Sequence, residues 1–183
     1  MQNTMITTEE VKARWAYSEI SSSRLGKRFK NLLPAGIVDN QSQGLPFEQL
    51  PDEDRHALIR ALKTVRPAAF VNVVETLGTG HFELATWTIA QLVGCVTLPD
   101  FGGVRYFQFL ARPYNSEQAD EIQPDLDPRR EALRIAFDKD FKVKFPLIAV
   151  RSGQHDVLLD GYLRSILWLR NPIEPLPVWV PAK

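Results

Sequence analysis

The sequence predicts an α+β protein, and three observations carry that expectation. Residues 145–180 read as an apolar strand, a turn, a second apolar strand, a helix and a Pro-flanked strand. Residues 51–65 carry apolar side chains at helical spacing. Thirteen prolines force frequent chain reversals and keep the helices short. The closing block is expected to form a β-β-α-β core packed against a mostly helical middle section. A chain of 183 residues suits a single domain. Residues 1–10 would be a flexible tail, 11–140 an N-terminal strand, loop and helical section, and 141–183 the core.

Taken in order, residues 11–20 alternate loosely around Trp15 and Tyr17, which predicts a short strand able to join the sheet. Ser21, Ser22 and Ser23 end it. Residues 33–45 hold Pro34, Gly36, Asp39, Asn40 and Gly44 and read as a loop. The clearest helix is 51–65. Pro51 suits its first position, where a missing N–H costs nothing, and Asp52, Glu53 and Asp54 complement its positive end. Ala57, Leu58, Ala61, Leu62 and Val65 form its apolar face. Residues 70–77 fit a continued helix or a strand. Residues 82–96, apolar on most sides, read as a buried helix. Residues 104–111 lean to helix, 112–128 to an acidic loop or short helix, and 128–138 to a helix.

Composition bounds the function classes. Formal net charge is zero, so no global field favours nucleic acid or membrane, and self-association is easier. The single cysteine, Cys95, excludes an intramolecular disulfide and a thiolate metal cluster. Its apolar surroundings predict a buried, inert thiol. No apolar run is long enough for a membrane span. The start MQNTMITTEEVKAR lacks a basic beginning and an apolar core, so no signal peptide is expected and a cytoplasmic location follows. His56, His81 and His155 lack metal spacing, and His155 is expected in an exposed hairpin turn. His81-Phe82-Glu83 echoes the His-x-Glu of zinc deaminases but lacks the Pro-Cys-x-x-Cys that this chemistry needs. The carboxylate pairs Asp125 and Asp127, and Asp138 and Asp140, read as solvated loop residues.

The chemistry concentrates where the second tail strand stops. Asp160-Gly161 turns directly into the helix opening Tyr162-Leu163-Arg164. A strand that becomes a helix at a glycine leaves unpaired N–H groups at the helix start, and such an end attracts anions. Gly161 permits a tight turn and a close approach of backbone to ligand. Arg164, one turn in, is placed for a bidentate contact with phosphate. Asp160 is placed to cap the helix or to orient a ribose hydroxyl or a metal, and Ser165 is a further donor. These strands, the Asp160-Gly161 turn and the closing Leu176-Pro177-Val178-Trp179-Val180 resemble the ParB/sulfiredoxin-like superfamily. That resemblance implies a nucleotide, with or without magnesium, whose phosphates lie at Asp160, Gly161, Tyr162, Arg164 and Ser165. Tyr162 stands where sulfiredoxins carry the catalytic cysteine, and Leu163 where family members carry a polar residue. Sulfiredoxin chemistry is therefore not expected, and whether there is a reaction stays open.

Two other functions fit the residues. One is a non-enzymatic interaction subunit, with a protein partner or a second copy, in a larger bacterial-type system. Trp15, Trp87, Tyr106, Phe107, Phe109, Trp168 and Trp179 are enough for both a core and a binding face, and the closing Trp179-Val180-Pro181 is expected to be exposed. The other is nucleic-acid binding through the basic run Arg24, Lys27, Arg28 and Lys30.

Overall fold

The computed structural model describes residues 5–66, 80–112 and 127–182. The fold is α+β, with helices accompanying a five-stranded mixed sheet. The strands are β1 (Met5–Thr7), β2 (His81–Trp87), β3 (Leu147–Ser152), β4 (His155–Asp160) and β5 (Leu176–Pro181), in the order β1-β2-β5-β3-β4. β1 runs antiparallel to β2 and β3 antiparallel to β4, whereas β3 and β5 are parallel. The chain divides into two compact units. One runs up to Glu83 and takes in Pro181 and Ala182; the other is Leu84–Val180.

In the first unit, β1 forms within the segment expected to be a tail. Its last residue, Thr7, then caps α1 (Thr8–Glu19) by accepting the Glu10 N–H at 3.2 Å. The strand expected over 11–20 is therefore a helix. Val11, Lys12, Ala13, Trp15, Ala16 and Tyr17 are all buried, so α1 has no broad polar face to mark a helical period. Residues 33–45 likewise contain a helix, α3 (Ala35–Ser42), because Pro34 and Gly44 flank it instead of interrupting it. A short helix α2 (Gly26–Lys30) lies between them. The helix expected over 51–65 is present as α4 (Asp52–Val65), with Pro51 at the N-cap and Asp52, Glu53 and Asp54 in the first turn. Its buried residues Leu58, Ile59, Ala61, Leu62 and Val65 are the stripe that packs against α1.

The apolar stretch 82–96 is not one helix. It splits into β2 and α5 (Ile89–Gly94) at Thr88. Thr88 accepts the Gln91 N–H at 3.3 Å and its own N–H donates to the Gln91 side chain at 2.9 Å. This reciprocal cap starts the helix and ends the strand. The second unit continues with α6 (Tyr106–Ala111), where a helix is expected, and α7 (Pro128–Arg134), shorter than expected. Expectations for residues 70–77, and for most of 112–128, fall outside the described residues.

The tail has the predicted order. β3 and β4 form a hairpin, α8 (Tyr162–Leu169) follows, and β5 closes the chain beside β3 with Leu147 opposite Val178 and Ile148 opposite Trp179. Leu147, Ile148, Ala149 and Val150 are buried without alternation, as befits a strand covered on both faces. Leu176, Val178, Trp179 and Val180 are buried as well, so the closing segment belongs to the core and is not exposed.

Candidate functional site

The turn after β4 is built around Gly161. Its φ of 101° is left-handed, and a Cβ at this position would lie 2.5 Å from the Leu147 Cγ. Backbone conformation and close packing therefore both require glycine. Gly161 occupies the N-cap of α8 and contributes no side-chain cap. Asp160 pairs with Arg164 at 2.6 Å, in an ion pair that is mostly shielded from solvent. The Arg164 Nε is buried with no hydrogen-bond partner.

Tyr162 and Ser165 point into the core. The Tyr162 hydroxyl accepts the Leu98 N–H at 2.8 Å and donates to the Leu158 carbonyl at 2.7 Å. Its ring packs among Phe101, Tyr106 and Phe109, with centroid distances of 4.3, 6.3 and 5.8 Å. Ser165 Oγ donates to the Tyr162 carbonyl at 2.8 Å, so it accepts the Tyr106 hydroxyl at 2.6 Å. Burial pushes both phenols well above the ordinary tyrosine range and keeps them protonated as donors. The structure thus brings Asp160, Gly161, Tyr162, Arg164 and Ser165 together in one turn. The two hydroxyls are engaged internally, and Asp160 meets the charge of Arg164. What the turn can offer an anion is the backbone of the first helical turn and the outer edge of Arg164.

Cys95 is buried, as its surroundings predict. Burial, and secondarily the charge of Asp156, push its thiol up to about 12. His155 is exposed at the hairpin tip, with Nδ1 3.2 Å from the Arg105 guanidinium. Because arginine only donates, Nδ1 is the acceptor in that contact. No group of three or more metal-ligating side chains occurs among the described residues. Of the basic run, Lys27, Arg28 and Lys30 are exposed on α2, while Arg24 is half-buried.

Among the aromatic residues considered for a binding face, Phe107 alone is exposed; Trp15, Trp87, Tyr106, Phe109, Trp168 and Trp179 are in the core. A run of exposed apolar side chains begins instead in the last turn of α7. Arg170, at the C-cap of α8, donates to the carbonyls of Ala132 and of Ile135, the latter at 3.0 Å. The Asn171 side chain donates to the Lys139 carbonyl. These contacts hold the backbone of this segment by its carbonyls and leave its apolar side chains outside. Leu133 is 78% exposed and Phe137 52% exposed, with Ile135 between them, and Ile173, two residues beyond Asn171, is 68% exposed. The sequence signal for this ribbon is the alternation Leu133, Ile135, Phe137, hidden by the expectation that the helix continues to 138. No family model, no curated protein and no solved structure matches the chain.

Proposed function

We propose that the protein is a protein-binding subunit, whose contact surface is the apolar ribbon Leu133, Ile135 and Phe137 with Ile173. The observation that carries this reading is a backbone pinned by Arg170 and Asn171 beneath side chains that have no core to fill. Isolated exposed apolar residues are ordinary on protein surfaces. Several on one held segment form a patch of the kind that marks a contact site. A pre-set backbone also lowers the ordering cost of binding. The test is mass by light scattering, with co-purification, compared between the wild type and Leu133→Asp/Phe137→Asp. The wild type is expected to self-associate or to retain a defined partner that the variant loses, with both equally folded. A monomeric wild type with the same partners as the variant would overturn the reading.

A second reading places a phosphate group, of a nucleotide or free, at the start of α8. It is favoured by a helix start whose N-cap, Gly161, contributes no side chain, and by the partly accessible Arg164. A phosphate there has to displace the Asp160 carboxylate from Arg164. Asp160→Asn is therefore expected to strengthen binding of inorganic phosphate or ATP, and Arg164→Ala to abolish it, read as a shift in melting temperature. If neither ligand shifts the wild type or Asp160→Asn, this reading fails.

A further inference from the structure

We propose that α2 and the second half of α4 form a cationic face that binds the phosphate backbone of double-stranded nucleic acid without reading its sequence. Two stretches of the chain are rich in cations and lack acids. Residues 20–38 contain Arg24, Lys27, Arg28 and Lys30 and no Asp or Glu. Residues 55–66 contain Arg55, Arg60, Lys63 and Arg66 and again no acid.

The fold joins these two stretches. α2 packs against α4 and α1. Gly26 opens α2 so close to the end of α1 that a Cβ there would lie 2.6 Å from the Ile20 carbonyl oxygen. Arg66, at the C-cap of α4, pairs with Glu19 in the last turn of α1. The end of α1, the end of α4 and the start of α2 therefore meet. The one acid at this meeting point in sequence, Glu19, is buried and held by Arg66 and by the Trp15 indole N–H at 3.3 Å. The acidic turn Asp52, Glu53, Asp54 lies at the other end of α4, about 18 Å along its axis from this meeting point at 1.5 Å per residue.

What remains outside is positive. Lys27, Arg28 and Lys30 on α2, and Arg60 and Lys63 on α4, are exposed and have no ion-pair partner among the described residues. Arg60 and Lys63 are three positions apart and share one helix face. The carbonyl end of a helix carries only about half an elementary charge, so the helix termini account for a minor part of these cations.

The chemistry of the face selects among polyanions. A protein partner would be expected to find an aromatic or desolvated anchor here. Phe29 is buried, and the large apolar side chain exposed beside the face is Leu32. Single-stranded nucleic acid needs aromatic platforms for its bases, and this face presents none among the described residues. Spaced, solvated cations match the regular charge of a duplex backbone.

The experiment is fluorescence anisotropy of a labelled mixed-sequence DNA duplex titrated with the full chain over a range of salt. Binding is expected at about 20 mM salt and should weaken with a log–log slope of about −3 to −5. Lys27→Gln/Arg28→Gln/Lys30→Gln should bind at least about tenfold more weakly, with the slope reduced by about three. Arg60→Gln/Lys63→Gln should reduce it by about two. Arg134→Gln, on the other unit, should change nothing. All substituted side chains are exposed, and unchanged melting temperatures will show that the variants fold; each change made singly gives the same ordering. Absence of binding at low salt, a slope unchanged in the triple variant, or equal affinity for a polyglutamate peptide would overturn the proposal.

Discussion

Gly161 shows how a single residue can look functional and be structural first. Its left-handed φ and its contact with Leu147 both exclude a side chain. Gly161→Ala should destabilise the protein by about 2–4 kcal/mol, combining left-handed strain with overpacking. Chemical denaturation measures this, and Leu147→Ala separates the two contributions. On that background the cost of Gly161→Ala should fall toward the backbone strain alone. An identical cost on both backgrounds would show that the contact with Leu147 does not matter. Cys95 makes a second residue-level prediction. A thiol pushed up to about 12 by burial is almost wholly protonated at neutral pH. The native protein should resist an aromatic disulfide reagent at pH 8 and react fully once denatured. Fast labelling of the folded protein would contradict its buried placement.

At the scale of elements, the join between α1 and α4 is electrostatic as well as apolar. Arg14 bonds Glu10 at 2.7 Å and Glu48 at 2.8 Å, and Arg55 donates to the Glu48 carbonyl at 3.0 Å. Burial pushes the Glu48 carboxyl up, but its own backbone N–H, the hydrogen bond and charge of Arg14 and the charge of Arg55 together bring it below the usual glutamate range. A carboxyl lowered by folding adds stability above its unfolded pKa and loses it as pH falls through the folded value. Wild type should thus exceed Glu48→Gln in stability at neutral pH by less than about 1 kcal/mol, since the pair is solvent-screened. The gap should close below about pH 4, where the unfolded carboxyl also protonates. A gap that persists in acid would mean that the charge of Glu48 is not the cause. The same elements show what their sequence reveals. α4 is legible because one face is polar and the other is buried. α1 is not, because packing on nearly every side removes its period. The boundary between β2 and α5 is written in Thr88 and Gln91, a capping signal that the surrounding apolar residues obscure. The tail is legible as strands and helix because each turn carries glycine or proline. The use of its polar groups is not, because the partners of Tyr162 and Ser165, Leu98 and Tyr106, are about sixty residues away.

For the whole molecule, two features act together. Formal charge is zero at pH 7, with twenty-two cations balancing twenty-two acids, so copies have little net repulsion there. The Leu133, Ile135, Phe137 and Ile173 ribbon supplies an apolar contact that this lack of repulsion leaves available. Association should therefore peak near neutral pH and persist at high salt, because salt screens charge but strengthens apolar burial when the anion is sulfate. Binding of a duplex by α2 and α4 should move the opposite way and vanish as salt rises. Leu133→Asp/Phe137→Asp removes two apolar side chains and adds two negative charges, which lowers association by both routes. Stability should move by no more than about 0.5 kcal/mol, as expected for exposed positions. Leu133→Ser/Phe137→Ser separates the routes, since it removes apolar surface without changing charge. If the serine variant scatters light like the wild type while the aspartate variant does not, net charge governs association and the ribbon does not. If both variants lose association equally, the ribbon is the contact, and its fixing by Arg170 and Asn171 becomes the next feature to test. Arg170→Gln should then weaken association by loosening the backbone while leaving every apolar side chain of the ribbon in place.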